Sequence, residues 1–203
     1  MRTVIVLRIV GRDAATSATE AQLADYIFGI GGDGLNLRTG YAQCSYGQLQ
    51  VEPLTSNALI GSDGVYTVHL PDTVVMGATS SMVYNAALAQ ATADLGVAPY
   101  LLANHVMFCI PPGTSGGWIA YSSPNHWMSV YNDKWCQYPS AQMHEIGEYV
   151  FPRLIQTRQV KNMPLSIAYC RSQSESPPLW GGSHRVWRPI GLDGKFSILL
   201  QRM

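Results

Sequence analysis

The residues whose types and spacing are best suited to catalysis form a His-Glu pair, which is followed three positions later by a second glutamate. The motif reads His144-Glu145-Ile146-Gly147-Glu148. On a helix, residues i and i+4 lie on one face about 6 Å apart, so His144 and Glu148 can both point at one metal ion. Glu145 projects from a neighbouring face, within reach of a water on that ion. The spacing therefore predicts Zn²⁺ ligands at His144 and Glu148 and a general base at Glu145.

Hydrolysis of a peptide bond is the chemistry that such a site would support. In the H-E-x-x-H pattern of zinc hydrolases, the metal lowers the pKa of its bound water toward about 7 and polarises the scissile carbonyl. The glutamate takes the proton from the water and passes it to the leaving amine. Here Glu148 stands in place of the second histidine. A carboxylate is an acceptable zinc ligand, but its charge makes the metal a weaker Lewis acid. For these residues alone, a solvated helix face is the alternative.

The motif falls in a predicted helical segment, Ala141–Phe151, which Pro139-Ser140 opens. Strands are predicted at Thr3–Val10, Tyr46–Glu52, Gly64–Leu70, His105–Ile110, Trp118–Ser122 and Met128–Asp133. Further helices are predicted at Thr19–Phe28, ended by Gly29, and at Ser80–Leu95, ended by Gly96, with Met82, Leu88 and Leu95 in its apolar stripe. Strands and helices thus alternate, which favours an α/β or α+β layer architecture.

The composition excludes several classes of protein. Hydrophobic residues make up 47% of the 203-residue chain and charged residues 13%, which is incompatible with intrinsic disorder. No apolar run approaches the roughly 18 residues that span a bilayer. The formal net charge of zero predicts no nucleic-acid or anionic-membrane partner. No signal peptide is visible, because Thr3–Val10 is short and contains Arg8.

The charged residues divide the chain near Glu148. Residues 1–148 carry five Lys or Arg and eleven Asp or Glu, a net charge of −6. Residues 149–203 carry eight Lys or Arg and two acids, a net charge of +6, in a region where strand and helix patterns are weak. We therefore predict a folded domain over residues 1–148 and a basic, irregular region over residues 149–203.

The four cysteines are Cys44, Cys109, Cys136 and Cys170. An even number of cysteines with few charges fits a secreted, disulfide-linked domain, and no C-x-x-C spacing suggests a cysteine metal site. Cys109 and Cys136 flank a Gly-rich segment between two predicted strands, so they are the predicted disulfide pair. Four reduced, buried cysteines are the alternative.

Four longer segments occur in a fixed order: Cys44–Leu49, His105–Tyr121, Ser129–Cys136 and Tyr138–Gly147. Together they resemble the gametolysin-type peptidase family, zinc metalloendopeptidases of algae and related organisms that act on extracellular matrix proteins. The resemblance covers roughly residues 1–147. It implies a zincin fold of the metzincin type, with a twisted mixed sheet, a backing helix and an active-site helix beneath the substrate cleft. It also implies an extracellular location.

The resemblance assigns roles to individual residues. His144 would be the first zinc ligand and Glu145 the general base. The strand Trp118–Ser122 would be the edge that pairs with an extended protein or peptide substrate. The glycines before it would let another backbone approach closely. The implied substrate edge comprises Gly116, Gly117, Trp118, Ile119 and Ala120.

The chain departs from the family pattern after Gly147. That pattern continues with a second histidine, a glycine and a third histidine, and this chain has Glu148, Phe151 and Leu154 at those positions. Met163 is a candidate for the Met-containing turn under the metal. His184 is a candidate replacement ligand, with a surface histidine as the alternative. We hypothesise that the sequence is truncated or foreign beyond this junction.

Three functions follow from these observations. The first is a zinc-dependent endopeptidase of the gametolysin type, acting on extracellular matrix or cell-wall proteins, whose activity the loss of the second and third zinc histidines can impair. The second is a catalytically inactive relative that binds peptide or matrix protein. The third is a secreted structural or adhesion domain without a metal.

Overall fold

The computed structural model describes residues 1–75 and 77–150, with the side chains of all but the last three of these. The candidate ligand His184, the candidate turn residue Met163 and the predicted irregular region from residue 151 onward lie outside the described residues. No helix among the described residues is long and apolar enough to cross a membrane.

A six-stranded mixed sheet forms the centre of the described structure. Its strands are β1 (Arg2–Val10), β2 (Val51–Pro53), β3 (Val65–His69), β4 (His105–Ile110), β5 (Ala120–Ser122) and β6 (Met128–Asn132). The strand order is β2-β1-β4-β6-β5, and β3 also pairs with β1. Among the described strands, β5 alone runs antiparallel to its neighbour, β6, and it lies at the edge of the sheet.

Helices cover both faces of this sheet. They are α1 (Glu20–Phe28), α2 (Leu37–Cys44), α3 (Ser80–Leu95), α4 (Pro99–Leu102) and α5 (Pro139–Val150), and a short 3-10 helix, Asp133–Gln137, precedes α5. Side chains alternate along β1, so Val4 and Val6 pack with α1, α2 and α5, whereas Ile5 and Leu7 pack with α3. The predicted layer arrangement of strands and helices is confirmed at this level.

Two predicted elements are wrong in detail. The predicted strand Tyr46–Glu52 is reduced to Val51–Pro53. An unpredicted helix, α2, precedes it because Asn36 forms a capping box with Thr39. Met82 is not part of the buried stripe of α3, since 61% of its surface is exposed. The helix instead rests on Val83, Ala87, Ala91 and Leu95, at intervals of four residues.

The predicted disulfide between Cys109 and Cys136 is present. It joins β4 to the 3-10 helix that leads into α5. Cys44 is disulfide-bonded as well, so none of the three described cysteines is free. The alternative of four reduced cysteines is therefore wrong.

Replacing both Cys109 and Cys136 with alanine should lower the free energy of unfolding by about 3–4 kcal/mol, because the bond closes a loop with a sequence separation of 27 residues. Urea denaturation measures this directly. Gly117→Ala is the control: an added Cβ there meets no atom within 4 Å, so its effect should stay within about 0.5 kcal/mol. Equal urea midpoints for the parent and the double variant would show that the disulfide is not a stabilising link.

Candidate active site

Helix α5 carries the His-Glu motif and packs against β5, β6 and α2. Ile146 lies in the core between this helix and the sheet, with 2% of its surface exposed. Gly40 lets α2 approach α5 closely, because a Cβ at that position would lie 2.7 Å from Sδ of Met143. The helix is thus fixed by packing on two sides.

Two side-chain hydrogen bonds, one buried and one partly buried, help to place α5. The Tyr41 hydroxyl on α2 donates to the Met143 carbonyl at 2.7 Å. The Gln142 amide Nε2 donates to the Cys136 carbonyl, also at 2.7 Å. Burial raises the pKa of Tyr41, so its hydroxyl stays protonated and remains a donor. These bonds attach the first half of α5 to α2 and to the disulfide-linked 3-10 helix.

The two central residues of the motif face different environments. His144 is exposed to solvent, whereas Glu145 is buried, with 8% of its surface exposed. Consecutive residues of a helix are rotated by about 100°, so these two side chains cannot share one direction. Glu148 is in α5 one turn after His144, on the same face of the helix. The backbone therefore allows a His144–Glu148 pair, while Glu145 lies on a neighbouring face that is buried.

A zinc ion requires three protein ligands at a catalytic site. The part of the chain that the structure describes contains no group of three or more His, Cys, Asp or Glu side chains that could hold a metal ion. Of the motif residues, His144 is exposed to solvent, and the side chain of Glu148 lies outside the described part of the chain. The described residues therefore do not fit a three-ligand zinc centre, and the assignment of His144 and Glu148 as ligands stays a prediction.

Strand β5 is the edge of the sheet beside α5, as expected for the substrate edge, but it is shorter than predicted. It spans Ala120–Ser122, and Trp118 and Ile119 precede it. Asn132 holds both of these residues: its Nδ2 donates to the Trp118 carbonyl and its backbone N–H to the Ile119 carbonyl, each at 2.9 Å. Because the ladder alternates, the backbone N–H and carbonyl of Ala120 and Ser122 point away from β6.

The two predicted glycines lie in the turn before this strand. Gly116 has a φ of +96°, a left-handed conformation that favours glycine. Gly117 has open space where a side chain would be, with no atom within 4 Å. Within the described chain no backbone crowds either of them, so the close approach of a substrate backbone stays a prediction.

Sequence reasoning did not identify a row of polar residues on the α5 face of the sheet. His105 on β4 and Ser129 on β6 are buried, and His105 Nε2 lies 2.8 Å from Ser129 Oγ. Burial lowers the pKa of His105 to about 3, and the nearby His126 contributes in the same direction. Tyr131 follows two residues after Ser129 on the same face. Alternation along each strand could have placed these residues on one face of that strand. Which strands lie side by side depends on the tertiary structure, so the sequence did not show that His105 and Ser129 meet.

Replacing His105 with glutamine should flatten the pH dependence of stability. Below pH 6.5 the His105 side chain is protonated in the unfolded chain, but it stays neutral in the folded chain, where its pKa is about 3. The stability contributed by neutral His105 is therefore complete above pH 6.5 and is lost as the pH falls toward 3, by up to about 1.4 kcal/mol per pH unit. Urea denaturation between pH 7.5 and 4.5 measures the slope. His69→Gln, at an exposed histidine, should keep the parent slope, and parallel curves for the parent and His105→Gln would contradict the assignment.

One known protein family matches the described part of the chain. The family model described as Gametolysin peptidase M11 matches residues 2–149, which include every strand of the described sheet. Searches of curated proteins and of solved structures gave no match. The matched family is one of zinc metallopeptidases, although no metal-binding group is present among the described residues. Because the match extends over most of its length, the chain belongs to the gametolysin M11 peptidase family.

Proposed function

We propose that this chain binds an extended segment of an extracellular matrix or cell-wall protein along β5, and that its zinc-dependent hydrolysis of that segment is impaired. The single observation that carries the proposal is the antiparallel edge strand beside α5. Membership of the peptidase family supports a protein substrate. The disulfide Cys109–Cys136 supports an extracellular location, because such bonds persist in oxidising compartments.

Binding depends on backbone groups that are already in place. Ala120 and Ser122 each direct an N–H and a carbonyl away from β6, which is the arrangement that accepts an added strand. Ala120 packs toward the α5 side of the sheet and Tyr121 toward the α3 side. Side chains of a bound segment would therefore alternate between two different environments, while its backbone supplies most of the affinity.

Hydrolysis depends on side chains that the described part of the chain does not bring together. A general base must lie within hydrogen-bond reach of the water that it deprotonates. Glu145 is buried, whereas His144 is exposed to solvent. Glu148 and Leu154 occupy the positions of the second and third zinc histidines of the family. We expect low turnover because Glu148 and Leu154 replace two imidazole ligands.

A zinc endopeptidase with full activity is the second candidate function. The exposure of His144, on the helix face that Glu148 shares, favours it. This candidate needs a third ligand from outside the described residues, for which His184 is the candidate in the sequence.

The proposed binding mode predicts that Ala120→Pro weakens peptide binding. Proline lacks the outward N–H, while an edge strand tolerates it because no ladder bond is lost. The loss of one backbone hydrogen bond corresponds to about tenfold in affinity. Fluorescence anisotropy with a labelled gelatin-derived peptide measures the change. Ala120→Ser keeps the N–H and is the matched control. Equal affinities for the parent and Ala120→Pro, with both folded by circular dichroism, would exclude pairing along β5.

Restoring the family ligands should restore hydrolysis. The variant Glu148→His/Phe151→Gly/Leu154→His should cleave gelatin in the presence of zinc at least about 100-fold faster than the parent, since a correctly held metal contributes several kcal/mol to the transition state. A chelator should remove the gain, and so should Glu145→Gln added to this variant. If the parent already cleaves as fast as the restored variant, and loses that activity on Glu145→Gln, the second candidate function is correct.

A further inference from the structure

Strand β5 carries one aromatic side chain, Tyr121, at the edge of the sheet. Tyr121 is partly buried on the α3 side, where it packs against the core of that face. Its hydroxyl donates to Ser80 Oγ, at the start of α3, at 3.1 Å. The Trp118 ring meets it edge-on, with the ring centroids 5.5 Å apart. The Tyr121 ring is therefore held in one orientation from two sides.

The hydrogen-bond ladder of β5 and β6 determines what can lie opposite Tyr121. The Asn132 N–H donates to the Ile119 carbonyl, so Ile119 and, two residues later, Tyr121 form the hydrogen-bonded pairs with β6. An antiparallel segment added at the edge would bond to Ala120 and Ser122, and it would face Tyr121 in a non-hydrogen-bonded pair. In such pairs the Cα atoms are about 4.5 Å apart and the side chains are closest. The ligand residue opposite Tyr121 would therefore contact the aromatic ring.

The elements around this position carry no charged side chains. Residues 105–132 and residues 77–93 include no Asp, Glu, Lys or Arg. These two stretches supply β4, β5, β6 and most of α3. A charged ligand side chain would lose hydration here without gaining a counter-ion from these elements. Aromatic and β-branched side chains, by contrast, form favourable cross-strand pairs with an aromatic residue.

The two neighbouring positions on β5 have a different character. Ala120 and Ser122 lie on the α5 side, since side chains alternate along a strand. Ala120 is small, and Ser122 Oγ makes no hydrogen bond within the described structure. A hydroxyl-bearing ligand residue can form a hydrogen bond with a serine on the adjacent strand. An apolar residue between two serines or threonines therefore matches the three residues of β5.

We propose that Tyr121, supported by Trp118, is a specificity-determining residue that selects an aromatic or β-branched side chain in the segment bound along β5. The inference rests on the proposed function, because it requires a segment that pairs with this edge. It adds the chemistry of that segment, which has an uncharged apolar residue flanked by hydroxyl-bearing residues. Tyr121 contacts the ligand side chain, so its contribution is to the affinity of binding.

Fluorescence anisotropy of the full chain with three labelled peptides tests this assignment. The peptides consist of alternating serine and threonine, and their central residue is phenylalanine, valine or glutamate. The phenylalanine and valine peptides should each bind at least about fivefold more tightly than the glutamate peptide. Tyr121→Phe keeps the ring and should keep this ratio. Tyr121→Lys should reverse the ratio, because the ammonium group attracts the glutamate carboxylate.

A second variant covers the case in which Tyr121→Lys does not fold. Tyr121→Thr introduces a residue that strands favour, and it should bind the three peptides within about twofold of one another. Circular dichroism checks that each variant is folded. Equal affinities of the parent for the three peptides, or a preference that folded Tyr121→Thr retains, would overturn the proposal and leave the proposed function standing. Failure of the parent to bind any of the three peptides would overturn both.

Discussion

The attachment of helix α5 to the sheet is the constraint on which the site depends. The Tyr41 hydroxyl bonds to the Met143 carbonyl, and the disulfide holds Cys136, to which Gln142 donates. With the helix fixed in this way and with Ile146 in the core, its rotation about its own axis is fixed as well. Along the fixed helix, His144 is exposed to solvent and the next residue, Glu145, is buried.

Peptide binding and peptide hydrolysis have different physical requirements in this fold. Binding needs the backbone of an edge strand, which β5 supplies whatever its side chains are. Hydrolysis needs a metal, its ligands and a base within a fraction of an ångström of their working positions. A chain can therefore keep the first capacity when substitutions at the ligand positions remove the second. This separation would let a domain bind a peptide along its sheet edge without cleaving it.

Local sequence signals predicted the parts of the fold that depend on local physics. The β-branched run of β1, the capped ends of α1 and the cysteine pair all follow from neighbouring residues. Helix α2 was missed because its capping residue Asn36 is read as a turn former. The burial of Glu145 could not be predicted, because the motif fixes the angles between its residues but not the rotation of the whole helix. That rotation comes from Tyr41, which is about one hundred residues earlier in the chain.

The zinc content of the full chain tests the central claim most directly. The chain would be exposed to excess zinc, desalted and analysed by mass spectrometry for metal per polypeptide, in parallel with His144→Ala. If the described residues of α5 are arranged as the structure has them, the parent retains far less than one equivalent and His144→Ala retains the same amount. One full equivalent in the parent, lost in His144→Ala, would mean that a working metal centre forms on this helix and would contradict the account.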